Sequence, residues 1–134
     1  MNDTLIFKLK DEEGFFDASA LKDHELSSVS NNTISLSLEN AEITDTGISN
    51  LPEFKKIRCI DLDSTLITDK SMDVITSFKS LEEVWIEDTK LTDLGFKKLA
   101  LLPKLKYISF LNTNISDEAY NYVIQRLPNL ESEG

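Results

Sequence analysis

Carboxylates recur around the only tryptophan of the chain at spacings that suit chemistry on a strand. Asp61 and Asp63 are two positions apart, and Glu83 and Glu87 each lie two positions from Trp85. Because residues two apart on a β-strand face the same side, Asp61 and Asp63 would present two carboxylates together. Such a pair suits general acid–base catalysis or a hard cation. An indole among carboxylates would instead attract a cationic partner.

Catalysis finds little further support in the sequence. The single histidine, His24, and the single cysteine, Cys59, leave no Cys/His zinc site, HExxH helix or intramolecular disulfide. Walker, Rossmann and serine-elbow patterns are missing as well. Cys59 has no neighbouring histidine as a base and is expected to be inert. We therefore expect a protein that is not an enzyme and needs no cofactor or metal. A carboxylate-based hydrolase or a cation-binding protein stays open as an alternative.

Length and charge define the class of protein and of partner. The chain has 134 residues with a net charge of −10, and 40% of its residues are hydrophobic, which predicts one soluble domain. A strongly acidic chain repels nucleic acid and favours a cationic protein partner. The sequence has neither an apolar run of the ~20 residues that a membrane helix needs nor a secretory leader at its start. We expect no membrane contact and a cytoplasmic location.

A 24-residue period organises most of the chain. Each unit carries an aliphatic residue, then Thr or Ser, then Asp, at 43–45, 67–69, 91–93 and 115–117. Before each triplet the apolar residues alternate, as in Val84-Trp85-Ile86, which predicts a strand. Thr or Ser suits a helix N-cap, and the Asp that follows suits the positive end of the helix dipole. The units therefore predict strand–helix pairs that must stack to bury their apolar stripes.

The pattern resembles the leucine-rich-repeat family. The run Leu81-x-x-Val84-x-Ile86-x-x-Thr89-x-Leu91 fits the consensus L-x-x-L-x-L-x-x-N-x-L, and so does the unit that opens at Leu105. The resemblance covers about residues 33–130. It implies a right-handed α/β solenoid of four strand–helix repeats, with a parallel sheet on the concave face and a binding role.

The ends of the chain depart from this pattern. Residues 1–32 do not fit the repeat, and we expect them to form an irregular N-terminal cap on a single domain of residues 1–134. Within that cap the sequence predicts a strand over residues 4–9 and a helix or two turns over residues 18–29. Residues 131–134 are expected to be a tail. No capping helix follows the last repeat, so its strand edge is expected to be open to pairing, including homodimerisation.

The predicted register also assigns a binding face. Strand residues between the buried aliphatics should point outward, and this set holds six carboxylates and no Lys or Arg. Basic residues such as Lys55, Arg58 and Lys104 fall in the returns or on the helical side. We expect partner-binding residues that share this outward face: Asp61, Asp63, Glu83, Trp85, Glu87, Asp88, Tyr107 and Leu111. In the alternative interpretation, Trp85 lies flat on its neighbours and the acids are only solvated.

These observations predict a non-enzymatic scaffold that binds a cationic protein through its acidic, aromatic concave face. Trp85 and Tyr107 would be the anchors, and the acids would steer association. One specific form of this hypothesis is an immunity-type protein that inhibits a basic toxin. A substrate adaptor, or a subunit of a larger assembly that uses the C-terminal end as a second contact, stays open.

Overall fold

The fold is an α/β arrangement built on one parallel sheet. The structure, a computed structural model, describes residues 14–134, so the strand expected over residues 4–9 lies outside the described residues. Six strands of three residues each pair in chain order, all parallel. They are β1 (Phe15–Asp17), β2 (Ser35–Ser37), β3 (Cys59–Asp61), β4 (Glu83–Trp85), β5 (Tyr107–Ser109) and β6 (Glu131–Glu133).

Short helices connect the strands. The α-helices are α1 (Asp45–Ser49), α2 (Met72–Ile75), α3 (Asp93–Lys97) and α4 (Asp117–Arg126), and 3-10 helices cover Asp23–Ser28, Asp69–Ser71 and Lys98–Leu101. Of the four predicted N-caps, Thr44, Thr68 and Ser116 accept a backbone N–H through the side-chain oxygen, whereas Thr92 does not. Helices this short are marginal alone, so packing against the sheet must stabilise them.

The strands follow the period seen in the sequence. The strands β2 to β6 begin at positions 35, 59, 83, 107 and 131, so that each strand from β3 onward begins 24 residues after the previous one. Equivalent residues therefore lie side by side: Val84 is paired with Ile60 on one neighbouring strand and with Ile108 on the other. We refer below to the stretch from one strand to the next as a segment.

The main core lies between the sheet and the helices. The central residue of each strand from β2 to β5 is fully buried there, together with Leu38, Leu62 and Ile86 from the strand ends. Phe96 of α3 is the largest fully buried side chain. Full burial of such side chains contributes about 1.5–3 kcal/mol each relative to leaving them exposed.

A row of aspartates joins consecutive segments on the helical side. Each carboxylate accepts the backbone N–H of a Thr or Ser in the next segment at 2.8–2.9 Å and the hydroxyl of the same residue. The pairs are Asp23 with Thr44, Asp45 with Thr68, Asp69 with Thr92, and Asp93 with Ser116. We call these pairs the aspartate ladder. Each carboxylate thus fixes the entry of the next helix, a role beyond the dipole effect expected from the sequence.

Both ends of the chain contribute strands that the repeat pattern does not predict. β1 lies within the segment expected to be an irregular cap, and residues expected to be a tail form β6 instead. Glu131 of β6 pairs with Tyr107, so a further strand covers β5. Within residues 14–134, no helix is both long and apolar enough to span a bilayer.

Candidate functional site

Trp85 lies on the sheet face opposite the main core, yet it is buried. Its exposed fraction is 6%, and its ring packs on Tyr107 at a centroid distance of 5.3 Å with a tilt of 49°. Cys59 is buried in the same cluster, with Phe15 packed against it. The exposure predicted for Trp85 and Tyr107 is therefore wrong, and the alternative in which the indole lies on its neighbours describes the structure.

The end strands help to explain this burial. The Tyr107 hydroxyl donates to Glu133 of β6, a strand that the sequence pattern did not predict. On the other side, Phe15 belongs to β1, which was likewise not predicted. Burial and the Glu133 carboxylate raise the pKa of Tyr107 well above its ordinary value.

Three predicted surface carboxylates are buried as well. Glu83 and Asp61 are enclosed on the Trp85 face and Asp63 is buried just beyond β3, so the prediction that they are exposed is also wrong. Burial, and next the Glu83 carboxylate, raise the pKa of the Cys59 thiol far above its ordinary value. A thiol held in its protonated form is a poor nucleophile. The buried residues on this face of the sheet therefore stabilise the fold, and they are not accessible to a substrate.

Three carboxylates meet where β2 and β3 end. Glu39, Asp61 and Asp63 bring oxygen atoms within 4.8 Å of one another, and only Glu39 of the three is exposed. Asp63 accepts the backbone N–H of Glu87 at 2.8 Å, while Asp61 accepts that of Asp63 at 2.9 Å. Burial, and then the Asp61 charge, raise the pKa of Asp63 to about 8. At neutral pH the Asp63 carboxyl therefore favours its protonated form, and the oxygens of this group are of the kind that hard cations prefer.

The predicted contact residues that keep exposed surface lie just beyond the strands, beside the buried Asp63. Glu39, Asp63, Glu87 and Leu111 occupy equivalent positions after β2 to β5, and Asp88 follows Glu87. We call these five residues the acidic edge. Backbone bonds join the successive turns of this edge: the Ser64 N–H donates to the Glu87 carbonyl and the Asp88 N–H to the Leu111 carbonyl, both at 2.9 Å. Glu39 and Asp88 are exposed, Glu87 is half-buried, and Leu111 is 42% exposed.

A repeated backbone conformation shapes this edge. The third residue beyond the end of each strand from β2 to β5 has a φ of 52–62°, in the left-handed region. These residues are Asn40, Ser64, Asp88 and Asn112. Polar side chains that bond locally tolerate this region better than most. The Ser64 hydroxyl donates to the Asp88 carboxylate at 3.0 Å, which ties two of these turns together. The turn fixes where the exposed carboxylates stand.

Basic residues gather at the opposite edge of the sheet. All the strands are parallel, so the residues before them share one edge and the residues after them share the other. Lys55, Arg58, Lys79, Lys104 and Lys106 precede β3, β4 and β5. Glu82 accepts two bonds from Arg58, at 2.8 and 3.2 Å, and pairs with Lys106 at 3.2 Å. The Arg58 and Lys106 partners hold the pKa of Glu82 below its ordinary value.

Comparison with known proteins adds no relative: no protein-family model matches the chain, and no curated protein matches it.

Proposed function

We propose that the chain is a right-handed leucine-rich-repeat solenoid of four repeats, capped at its N-terminal end. The 24-residue spacing of β2 to β6, their parallel pairing and the helix in each return support this proposal. The leucine-rich-repeat scaffold is built for binding along an extended surface.

We further propose that it is a cytoplasmic, non-enzymatic scaffold for a cationic protein. The observation that carries this proposal is the alignment of Glu39, Glu87 and Asp88 at the strand ends. No Lys or Arg occupies the three positions after β2, β3, β4 or β5. Carboxylates set in rows by hydrogen-bonded turns create a field that steers a basic partner toward this edge.

The burial of Trp85 moves the contact away from the middle of the sheet. An indole that is 6% exposed offers almost no surface to a partner and serves to fix the sheet. Leu111, bonded through its carbonyl to Asp88, is the exposed apolar residue within the acidic edge. Partner contact is therefore assigned to Glu39, Glu87, Asp88 and Leu111. Inhibition of a basic toxin is one form that such binding would take.

Affinity capture with charge-reversal variants tests this assignment. The full chain is immobilised as wild type, as the double variant Glu87→Lys/Asp88→Lys, and as the matched control Asp117→Lys/Glu118→Lys. Captured proteins are identified at low and moderate salt. Basic proteins held by the wild type and by the control, but lost by the acidic-edge variant, support the proposal. Equal capture by all three overturns it, and loss in the control alone favours an adaptor that binds through its C-terminal end.

Cation binding is a second candidate function because Glu39, Asp61 and Asp63 converge within 4.8 Å. Calorimetry with Ca²⁺ and with Mg²⁺ decides between the two. Saturable heat from the wild type that Asp63→Asn abolishes supports this candidate, and absence of heat removes it.

A further inference from the structure

The returns that lead into the strands enclose a groove at the basic edge of the sheet. Its volume is about 590 Å³, and three successive returns line it. Phe54, Phe78 and Pro103 supply apolar walls, and three lysines, Lys55, Lys79 and Lys104, outnumber the one acidic lining residue, Glu53. Phe54 packs edge-on against Phe78 at 5.2 Å, which fixes the aromatic wall. The groove therefore combines a fixed apolar surface with ammonium groups.

The lysines of this groove differ from others nearby in their pairing. Lys98 is bound to Asp73 at 2.8 Å and Lys106 to Glu82 at 3.2 Å. Within residues 14–134, Lys55 and Lys104 form no ion pair, and both are exposed. Lys79 donates to the carbonyl of Leu101 at 3.2 Å, which keeps its ammonium beside the groove. Among the described residues, the ammonium groups of Lys55 and Lys104 thus have no carboxylate partner and are accessible to a ligand.

We propose that this groove binds an extended acidic peptide segment of a partner protein, with an apolar side chain against Phe54 and Pro103 and carboxylates at Lys55 and Lys104. The site is distinct from the acidic edge in position and opposite to it in charge. Small inorganic anions have no use for the apolar walls, and the volume far exceeds the need of one phosphate. A peptide in which two acidic residues stand three positions apart, with apolar residues between them, matches both components.

The spacing of the returns suits an extended chain. Neighbouring parallel strands lie about 4.8 Å apart, so the first and third returns are separated by about 10 Å. Lys55 lies in the first of these returns and Lys104 in the third. An extended peptide covers that distance in about three residues at ~3.3 Å each. Two carboxylates three residues apart therefore reach the two lysines, with the apolar contact between them.

Fluorescence anisotropy tests the proposal on the full chain. The probe is a fluorescein-labelled synthetic peptide that repeats the unit Glu-Leu-Leu. The test variant is Lys55→Glu/Lys104→Glu, and the matched control is Lys70→Glu/Lys90→Glu, which changes the charge equally at exposed lysines outside the groove. We expect saturable binding that weakens about tenfold or more in the test variant and less than about twofold in the control, a difference of ~1.4 kcal/mol per factor of ten. Circular dichroism verifies that each variant is folded.

Two companion probes separate the components of the site. A peptide that repeats Glu-Ser-Ser, which keeps the charge and lacks the apolar side chains, should bind more weakly than the Glu-Leu-Leu peptide. Inorganic phosphate should not displace the Glu-Leu-Leu peptide at equal ionic strength. Equal binding of both peptides, displacement by phosphate, equal weakening in both double variants, or no saturable binding each overturns the proposal. None of these results bears on the acidic edge, whose variants are tested separately.

Discussion

The carboxylate of Asp45 holds Thr68 at the start of the next segment. This carboxylate accepts hydrogen bonds from the backbone N–H of Thr68 at 2.8 Å and from the Thr68 hydroxyl at 2.6 Å. The Ser71 hydroxyl also donates to the Asp45 carboxylate, at 2.6 Å. Burial alone would raise the pKa of Asp45, but the bonds from Ser71 and Thr68 outweigh it and lower that pKa. Three donors on one carboxylate make Asp45 the best-connected member of the aspartate ladder.

Replacing Asp45 by Ala should destabilise the fold by about 2 kcal/mol, because hydrogen bonds to a charged group contribute roughly 1.5–3 kcal/mol. Asp117→Ala is the control, since Asp117 has the equivalent position after Ser116 and no later Thr for its carboxylate to hold within residues 14–134. Urea unfolding measures both. The lowered pKa means that the Asp45 contribution is present above its ordinary pKa of 3.8 and is lost as pH falls through its folded value. Equal losses in the two variants would contradict the ladder.

Gly95→Ala should destabilise the protein although Ala favours helices by about 1 kcal/mol over Gly. A Cβ at position 95 would lie 2.2 Å from the Oδ1 atom of Asp69 and 3.1 Å from the Cα atom of Asp69. The hydrogen bonds that Thr92 donates to the Asp69 carboxylate must therefore shift. We expect a net loss of about 1–3 kcal/mol, as for other overpacked sites. Thermal unfolding measures it. The control is Ala100→Gly, which reverses the substitution at a half-buried position five residues on. A more stable Gly95→Ala variant would refute this account.

Raising the pH should weaken the fold through Asp63. Its folded pKa of about 8 lies above the ordinary value of 3.8, so the native state binds a proton that the unfolded chain releases. The stabilisation is complete below about pH 4 and is lost as pH rises through about 8. Urea unfolding at pH 5 and pH 9 should show the loss in the wild type. Asp63→Asn, which keeps an acceptor for the Glu87 N–H, should reduce it, whereas Glu39→Gln at the exposed corner should not. An unchanged slope in Asp63→Asn would exclude this carboxyl as its source.

Fluorescence should report that Trp85 is buried. It is the only tryptophan, so the emission belongs to one site. We expect blue-shifted emission that iodide quenches only weakly, with a red shift and strong quenching after urea unfolding. Trp85→Ala should cost about 3–5 kcal/mol, as for other buried aromatic truncations. Tyr122→Ala, which removes a half-exposed ring on α4, is the milder comparison. Quenching of the native protein as strong as that of the unfolded chain would contradict this placement.

The sequence was sufficient for the four central strands, β2 to β5, and for the main core. The alternation around Val84 and the 24-residue period place β2 to β5 and their buried central residues, since a period of two identifies one face of a strand. Thr44 and Ser116 act as the caps that their residue types indicate. Local rules succeed here because each depends on neighbours a few residues away.

Burial on the Trp85 face could not be deduced in the same way. Alternation says which side of a strand a residue faces, but not what covers that side. Trp85 and Tyr107 pack on each other, Phe15 of β1 packs against their cluster with Cys59, and Tyr107 is bonded to β6, which has the polar sequence Glu-Ser-Glu. The aspartate ladder left a detectable signal, an Asp 23 residues before each Thr or Ser from Thr68 onward. The sequence analysis did not predict that each of these Asp carboxylates accepts hydrogen bonds from the Thr or Ser of the next segment.

The identical offset between successive strands has a consequence for how such a chain changes over time. Because β2 to β6 begin 24 residues apart, a duplication of one whole segment would supply each new contact from residues already suited to it. Deletion of a single residue within a segment would instead misalign the strand pairs and the aspartate ladder on either side of it. This architecture therefore tolerates the insertion of a whole segment better than the insertion or deletion of one residue.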